Sequence, residues 1–269
     1  MKDHPVKAYK NLDFLASPPA RPIRILAEYL EPGRRFRHHG VDNTIVFFGS
    51  ARAPEPEEAA RLRAQASTDE ELDAAARAER LSRYYGDARE LAARLTRWSA
   101  GRASEDRHFV VTTGGGPGIM EGANRGAVDA GGLSAGLGIS LPWEPGLNAY
   151  VSESLAFEFH YFFMRKYWFA YLAEAVVAFP GGVGTLDEVL EVLTLLQTGK
   201  IHKPMPVVLY GAEFWSSVLK LDALEAWGTI SPRDLERFHL SDTVDDAFEH
   251  LVAALGALPP RKKGSGEAG

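Results

Sequence analysis

The chain is read as a doubly wound, mostly parallel α/β protein with helices on both faces of the sheet, and three observations predict this. Short apolar runs such as NTIVFF (43–48), HFVVTT (108–113) and PVVLY (206–210) alternate with longer helical patterns. Three of the apolar runs stop at glycine turns, at Gly49, Gly114 and Gly181. The segment 185–197 carries Leu186, Val189, Leu190, Val192, Leu193 and Leu196, a broad apolar face suited to lying on a sheet. In such sheets ligands sit beyond the carboxyl ends of the strands, where all three turns fall.

Taken in order, residues 1–40 hold several prolines and read as a peripheral extension with a helix over 22–30. Its basic cluster RRFRHH (34–39) fits a solvated face or an oligomer contact better than a phosphate site. NTIVFF is a buried strand ending at Gly49 and Ser50. From 57 to 98 the chain is rich in Ala, Glu, Arg and Leu at helical spacing, with a break expected near SRYYG. This stretch reads as a helical insert at about 55–100.

A second strand (108–113) leads into the turn Gly114–Gly118 and a helix from Ile119 to Gly131 and Gly132. SAGLGISL (134–141) is a strand, WEPGLNAY is irregular, 151–157 is a strand and 160–173 an aromatic helix. AVVAF (175–179) is the strand feeding PGGVGT. Strand 206–210 follows, then helices at 212–226, 232–237 and 244–256. One domain is therefore expected over 41–258, and the basic, then small and polar tail 259–269 reads as disordered.

The 269 residues suffice for a sizeable core, and 45% apolar with 25% charged residues match an ordinary globular protein. The formal charge of −6 gives no general attraction to nucleic acid polymers or anionic membrane. The absence of cysteine excludes disulfides, thiolate nucleophiles and cysteine-ligated metal, and fits a reducing cytoplasm. Neither a leader nor a membrane span is read from the sequence. The scattered histidines form no metal-ligand spacing, so no metal and no cofactor are expected.

The segment PGGVGTLDE (180–188) carries the most chemistry. An apolar strand stops at a glycine turn and resumes as a helix, which builds an anion site at a helix N-terminus. Gly181, Gly182 and Gly184 permit close backbone approach to an oxyanion, Thr185 adds a hydroxyl, and Asp187 and Glu188 place carboxylates nearby. Acidic residues there can also merely complement the helix dipole. The segment is neither a Walker A sequence nor G-x-G-x-x-G.

In FEFHYFFMRKYWFAYLAEA, Arg165 and Lys166 stand on an otherwise aromatic and apolar helix. Snorkelling or an ion pair with Glu158, Glu174 or another acid would explain them. Beside an anion site, Arg165 suits a phosphate, a ribose hydroxyl or charge developing in a transition state. His160 reads as a helix-cap or core residue. The aromatic residues Trp143, Tyr150, Phe159, Tyr161, Phe162, Phe163, Tyr167, Trp168 and Phe169 suit a core or a homodimer surface, with a base-stacking wall among them as the alternative.

GGGPGIMEGANRGA, MRK and PGGVGTLDE together resemble the LOG (LONELY GUY) family of nucleoside 5′-monophosphate phosphoribohydrolases, many of whose members carry the label lysine decarboxylase. The resemblance covers about residues 43–225, including the GS of FFGS. It implies a Rossmann-like homodimer that cleaves the N-glycosidic bond of an AMP-type nucleotide to free base and ribose 5-phosphate, with N6-modified adenine nucleotides, the cytokinin precursors, as hallmark substrates. By motif position, Arg165 and Glu188 correspond to the catalytic arginine and glutamate. Gly181, Gly182, Gly184 and Thr185 correspond to the phosphate cradle. The nucleotide contacts implied are Gly49, Ser50, Gly114, Gly115, Gly116, Gly118, Met120, Glu121, Met164, Lys166 and Asp187.

Two positions depart from the family pattern. Asp187 replaces the usual Glu, and Met164 directly precedes Arg165 where a His-Glu pair usually intervenes. The extensions and the stretch 55–80 make this a larger-bodied variant. A decarboxylase built on pyridoxal phosphate would need a Schiff-base lysine, and nothing around Lys166 or Lys200 supports one. The runner-up is a non-catalytic nucleotide or molybdenum-cofactor carrier, because such folds serve both roles. A purely structural homodimer accounts poorly for three convergent glycine turns.

Overall fold

The computed structural model describes residues 4–102, 107–140 and 146–258. Seven parallel strands form one sheet: β1 (Asn43–Phe48), β2 (Phe109–Thr113), β3 (Ser134–Ile139), β4 (Ala156–Phe159), β5 (Ala173–Ala178), β6 (Val207–Tyr210) and β7 (His239–Ser241). Their spatial order is β4-β3-β2-β1-β5-β6-β7, and every neighbouring pair is parallel. The order reverses between β1 and β5. This is a Rossmann-like fold, and a crevice is expected at that reversal, beyond the strand ends.

β1 is buried on both faces, as a parallel strand must be. Val46 and Phe48 enter one core layer, while Ile45 and Phe47 enter the other. The first layer is closed by α2 (Arg21–His38), α6 (Phe162–Leu172), α7 (Val183–Gln197) and α8 (Ala212–Val218). The second is closed by α4 (Asp69–Gly101), α5 (Ile119–Asp129) and α11 (Val244–Gly256).

Several elements differ from the sequence reading, each for a local reason. The helix expected over 22–30 is α2, and it is pinned to the sheet. Phe36 is buried, the Trp168 indole donates to the Glu28 carbonyl at 2.9 Å, and Arg35 donates to the Ala156 carbonyl at 2.8 Å. A five-residue helix α1 (Leu12–Ala16) precedes it. The region 57–98 divides at 66–68, into α3 (Pro56–Gln65) and α4, and runs unbroken through SRYYG. Burial of Tyr84, Tyr85 and Ala88 outweighs the roughly 1 kcal/mol helix cost of Gly86. The true start of α4 is a capping box between Thr68 and Glu71. Because Leu91, Ala92 and Leu95 lie in the core, α4 is the crossover that links β1 to β2.

The strand expected at 151–157 forms later, as β4, after a 3-10 turn over Glu153–Leu155. The helix expected at 212–226 is interrupted where Leu219 turns extended, giving α8 and α9 (Leu221–Ala226). The four-residue α10 (Pro232–Leu235) and the three-residue β7 complete the edge. Trp143 and the tail 259–269 lie outside the described residues.

Candidate functional site

A cleft of about 650 Å³ opens at the carboxyl edge of the sheet, and all three glycine turns contribute to it. Its floor is set by pairing at the reversal point. Phe48 lies opposite Ala178, the Phe179 N–H donates to the Phe48 carbonyl at 2.9 Å, and the Ser50 N–H donates to the Pro180 carbonyl at 3.0 Å. The turns after β1 and β5 therefore leave the sheet side by side.

Gly182 precedes α7, and the Leu186 N–H closes back on its carbonyl at 3.0 Å. The N–H groups of the first helical turn have no acceptor within the helix, and they face the cleft with the positive end of the dipole. A β-carbon placed on Gly182 or Gly184 would meet nothing within 4 Å, so both glycines border open space. Gly181 is different: a β-carbon there would strike the Thr185 side chain, 2.6 Å from its own β-carbon. Gly181 thus makes room for Thr185, which is 7% exposed at the cleft wall.

Glu188 follows one turn into α7 and is 9% exposed. Burial pushes its carboxyl up to about 7, against the pull of Arg165 and then Lys166, while Glu191 and Asp187 push it further up. A carboxyl held near neutrality can exchange a proton or act as a carboxylate at working pH. Arg165, on α6, lines the same cleft. Its Nε donates to the carbonyl of Leu137 in β3 at 2.7 Å, and its guanidinium lies 5.1 Å from the centre of the Phe169 ring. A β-carbon on Gly114 would come within 2.5 Å of the guanidinium, so that glycine leaves room for the arginine. These contacts orient the Arg165 side chain in the cleft.

Other sequence candidates separate around this cleft. Gly49, Ser50, Gly114, Met120 and Asp187 line it. Gly115, Gly116, Gly118, Glu121, Met164 and Lys166 do not. Gly115 and Gly118 have φ of 75° and 72°, the left-handed region that favours glycine. The carbonyls of Gly115 and Gly116 accept from Asn148, and the Gly115 N–H donates to Thr113. Glu121 turns into a neighbouring cleft and accepts from the Tyr85 hydroxyl at 3.0 Å; burial raises its carboxyl. Met164 is buried in the core beneath α6.

Lys166 bridges Asp187 and Glu191, at 2.7 Å each. Burial opposes its charge, but those two bonds outweigh it and its pKa is raised. The ion pair expected of the basic residues is thus made by Lys166 with Asp187 and Glu191, whereas Glu158 accepts from Ser140 and Glu174 from Lys203. His160 is exposed and edge-on to Tyr161 at 4.7 Å, while its backbone N–H donates to Glu28. It is therefore neither core nor a side-chain cap. Phe162 and Phe169 line the cleft, whereas Phe159 and Trp168 are core.

Sequence reasoning missed Arg52, Leu81 and Phe214, which also line the cleft. Leu81 comes from the middle of α4 and Phe214 from α8, where no motif marks them. Arg52 follows GS by one residue, close enough to the turn to have been considered. Among the described residues, no group of three His, Cys, Asp or Glu side chains could hold a metal ion, and no helix is long and apolar enough to cross a membrane.

Fold and site together define a Rossmann-like α/β protein with a cleft at the switch point of its sheet, flanked by an open helix N-terminus, a buried glutamate and an oriented arginine. A family model described as "Possible lysine decarboxylase" matches residues 120–251. Over that segment the chain is similar to this lysine-decarboxylase-labelled group, the LOG family. It is similar to the "Probable cytokinin riboside 5′-monophosphate phosphoribohydrolase" of Oryza sativa subsp. japonica, 40% identical over 68 residues, 25% of this chain and 32% of the relative. A cytokinin riboside 5′-monophosphate phosphoribohydrolase of Mycobacterium marinum is 38% identical over 84 residues, 29% of this chain and 41% of the relative. The chain thus matches roughly a third to two fifths of these relatives' own length. A solved Moco carrier protein from Chlamydomonas reinhardtii is 20% identical with a TM-score of 0.44, covering 81% of this chain and 99% of that one, a likeness too distant to bear on function.

Proposed function

We propose that this protein hydrolyses the N-glycosidic bond of a nucleoside 5′-monophosphate of the AMP or N6-modified AMP type, releasing free base and ribose 5-phosphate. The observation that carries the reading is one cleft holding three parts: the open first turn of α7 with Thr185, the buried Glu188 and the oriented Arg165. The α7 turn takes the 5′-phosphate, so binding energy remote from the reacting bond fixes the ribose in place. Breaking the C1′–N bond develops positive charge on the ribose. The Glu188 carboxylate stabilises that charge and orients or deprotonates the attacking water. Arg165 holds the ribose or base against it, and the apolar walls Met120, Phe162 and Phe169 receive the base.

Homodimer formation belongs to the same reading. Phe162, Phe163 and Tyr171 on α6, with Val183 and Leu190 on α7, are exposed on the helical face beside the cleft. Sedimentation should give a dimer, and charged residues at Phe163 and Tyr171 should yield monomer.

The test of activity is chromatographic detection of free base from AMP, GMP, CMP, IMP and N6-isopentenyl-AMP, with the Glu188→Gln variant in parallel. Release that disappears in the variant supports the reading and ranks the substrates. Nucleotide binding with no release by the unaltered protein would replace the enzyme with a carrier.

A further inference from the structure

Four charged residues line the switch-point cleft: Arg52, Arg165, Asp187 and Glu188. Asp187 is paired with Lys166 at 2.7 Å. Arg165 is held by the Leu137 carbonyl and is the leading opposite charge acting on Glu188. A phosphate monoester near neutral pH carries a charge of about −1.5 to −2. Against it the α7 terminus supplies only about +0.5 and neutral hydrogen-bond donors. With Arg165 set against Glu188, the cleft needs another cation for a phosphate dianion.

Arg52 is the one that remains. It sits two residues beyond Ser50, whose backbone N–H donates to the Pro180 carbonyl, so it leaves the sheet beside the α7 turn. Its own N–H donates to the Ser50 hydroxyl at 3.0 Å, which fixes the direction of the turn. The side chain is exposed and has no ion-pair partner among the described residues. An arginine fork matches two phosphate oxygens at once.

We propose that Arg52 is a phosphate-contacting residue that closes over the anion held by the first turn of α7, and that it makes the cleft selective for phosphorylated over unphosphorylated ligands. This rests on the proposed function and deepens it. The competing destination is the neighbouring cleft of about 600 Å³, which Arg52 also borders and whose acidic lining residues are Glu55, Glu57, Glu58 and Glu121. Glu58 pairs with Arg61 at 2.6 Å, Glu55 with Arg125 at 2.9 Å, and Glu121 accepts from the Tyr85 hydroxyl at 3.0 Å, so among these four Glu57 is the rival partner.

Calorimetric titrations of AMP, adenosine, ribose 5-phosphate and inorganic phosphate into the full chain, Arg52→Ala and Arg52→Lys, at fixed ionic strength, test this. The Ala variant should weaken AMP and ribose 5-phosphate about tenfold to a hundredfold, and the AMP-to-adenosine affinity ratio should fall by a similar factor. Arg52→Lys should fall between, since it keeps charge and loses the fork. Unchanged AMP affinity, equal loss for AMP and adenosine, lowered thermal stability alone, or no phosphate-ligand binding by the unaltered protein would each overturn the proposal. Base release is read separately. Arg52-dependent AMP binding without hydrolysis sinks the proposed activity and leaves the Arg52 assignment standing. Hydrolysis indifferent to Arg52 does the reverse.

Discussion

The glycine turns after β2 and β5 look alike in sequence, each a cluster of glycines between an apolar strand and a helix, yet they solve different problems. In the β2 turn the protein itself fills the space around the glycines. A β-carbon on Gly115 would enter Leu147, one on Gly116 would come within 2.8 Å of Met120, and one on Gly118 would run into the backbone of Ser50 and Ala51. Asn148 donates to the Gly115 and Gly116 carbonyls, the Gly115 N–H donates to the Thr113 hydroxyl, and Asn124 braces both partners by accepting from Thr113 and Asn148. In the β5 turn Gly182 and Gly184 border empty space, and helical N–H groups await an acceptor. The first is closed by packing; the second is left for a ligand. A glycine count cannot separate the two, because only the neighbours decide what a missing side chain is for.

The contrast can be broken at several points. Its largest consequence concerns Glu188 at the ligand-facing turn: Glu188→Gln should lower base release by about 10²–10⁴-fold while nucleotide binding persists. Equal turnover in the variant would remove the glutamate from the chemistry. Next is Gly118→Ala. Its positive φ together with a collision against backbone should cost about 3 kcal/mol or more, read as a lower midpoint in urea unfolding. If Gly118→Ala unfolds like the parent, the β2 turn is not closed by packing.

A third test is pH. The Glu188 carboxyl is held near 7 in the folded chain and sits near 4.5 as a free side chain, so between these values the folded state binds the extra proton. Its contribution to stability is complete below about 4.5 and is lost as pH rises through about 7, roughly 3 kcal/mol in all. Glu188→Gln should remove that slope, making the variant more stable than the parent at pH 8. Parallel unfolding curves against pH would contradict the burial argument.

Smaller still, Gly182→Ala should leave the unfolding midpoint within about 0.5 kcal/mol yet weaken phosphate ligands about tenfold. The opposite pattern would make the β5 turn structural. The smallest effect is expected for Lys166→Met. This lysine ties Asp187 and Glu191 together at the flank of α7, so stability should change by about 1 kcal/mol or less, with a modest rise in KM.

Much of the architecture was legible in residue patterns. Runs such as NTIVFF and AVVAF are too short and too apolar for anything but buried parallel strands, and α7 and α11 carry clear helical stripes. The capping-box pair Thr68 and Glu71 also marks the start of α4 in the sequence, a stronger local signal than the glycine in SRYYG. What escaped notice was short or weakly patterned. β7 spans three residues, and the break at Leu219 has neither proline nor glycine to mark it.

For the site, the residue types of the PGGVGTLDE turn mark Thr185 and Glu188 as candidates, because the chemistry of an anion site is local to one turn; Arg165 stands out as a basic residue on an otherwise aromatic and apolar helix and through the family resemblance. Only the tertiary structure decided which side chains share the cleft. It sent Lys166 to the flank of α7, Glu121 into the neighbouring cleft and Met164 into the core, and it brought in Arg52, Leu81 and Phe214 from three separate elements. The physical reason is that backbone preference and periodicity act over a few residues. Burial, and with it the displaced carboxyl of Glu188, depends on segments that meet only when the sheet reverses direction between β1 and β5.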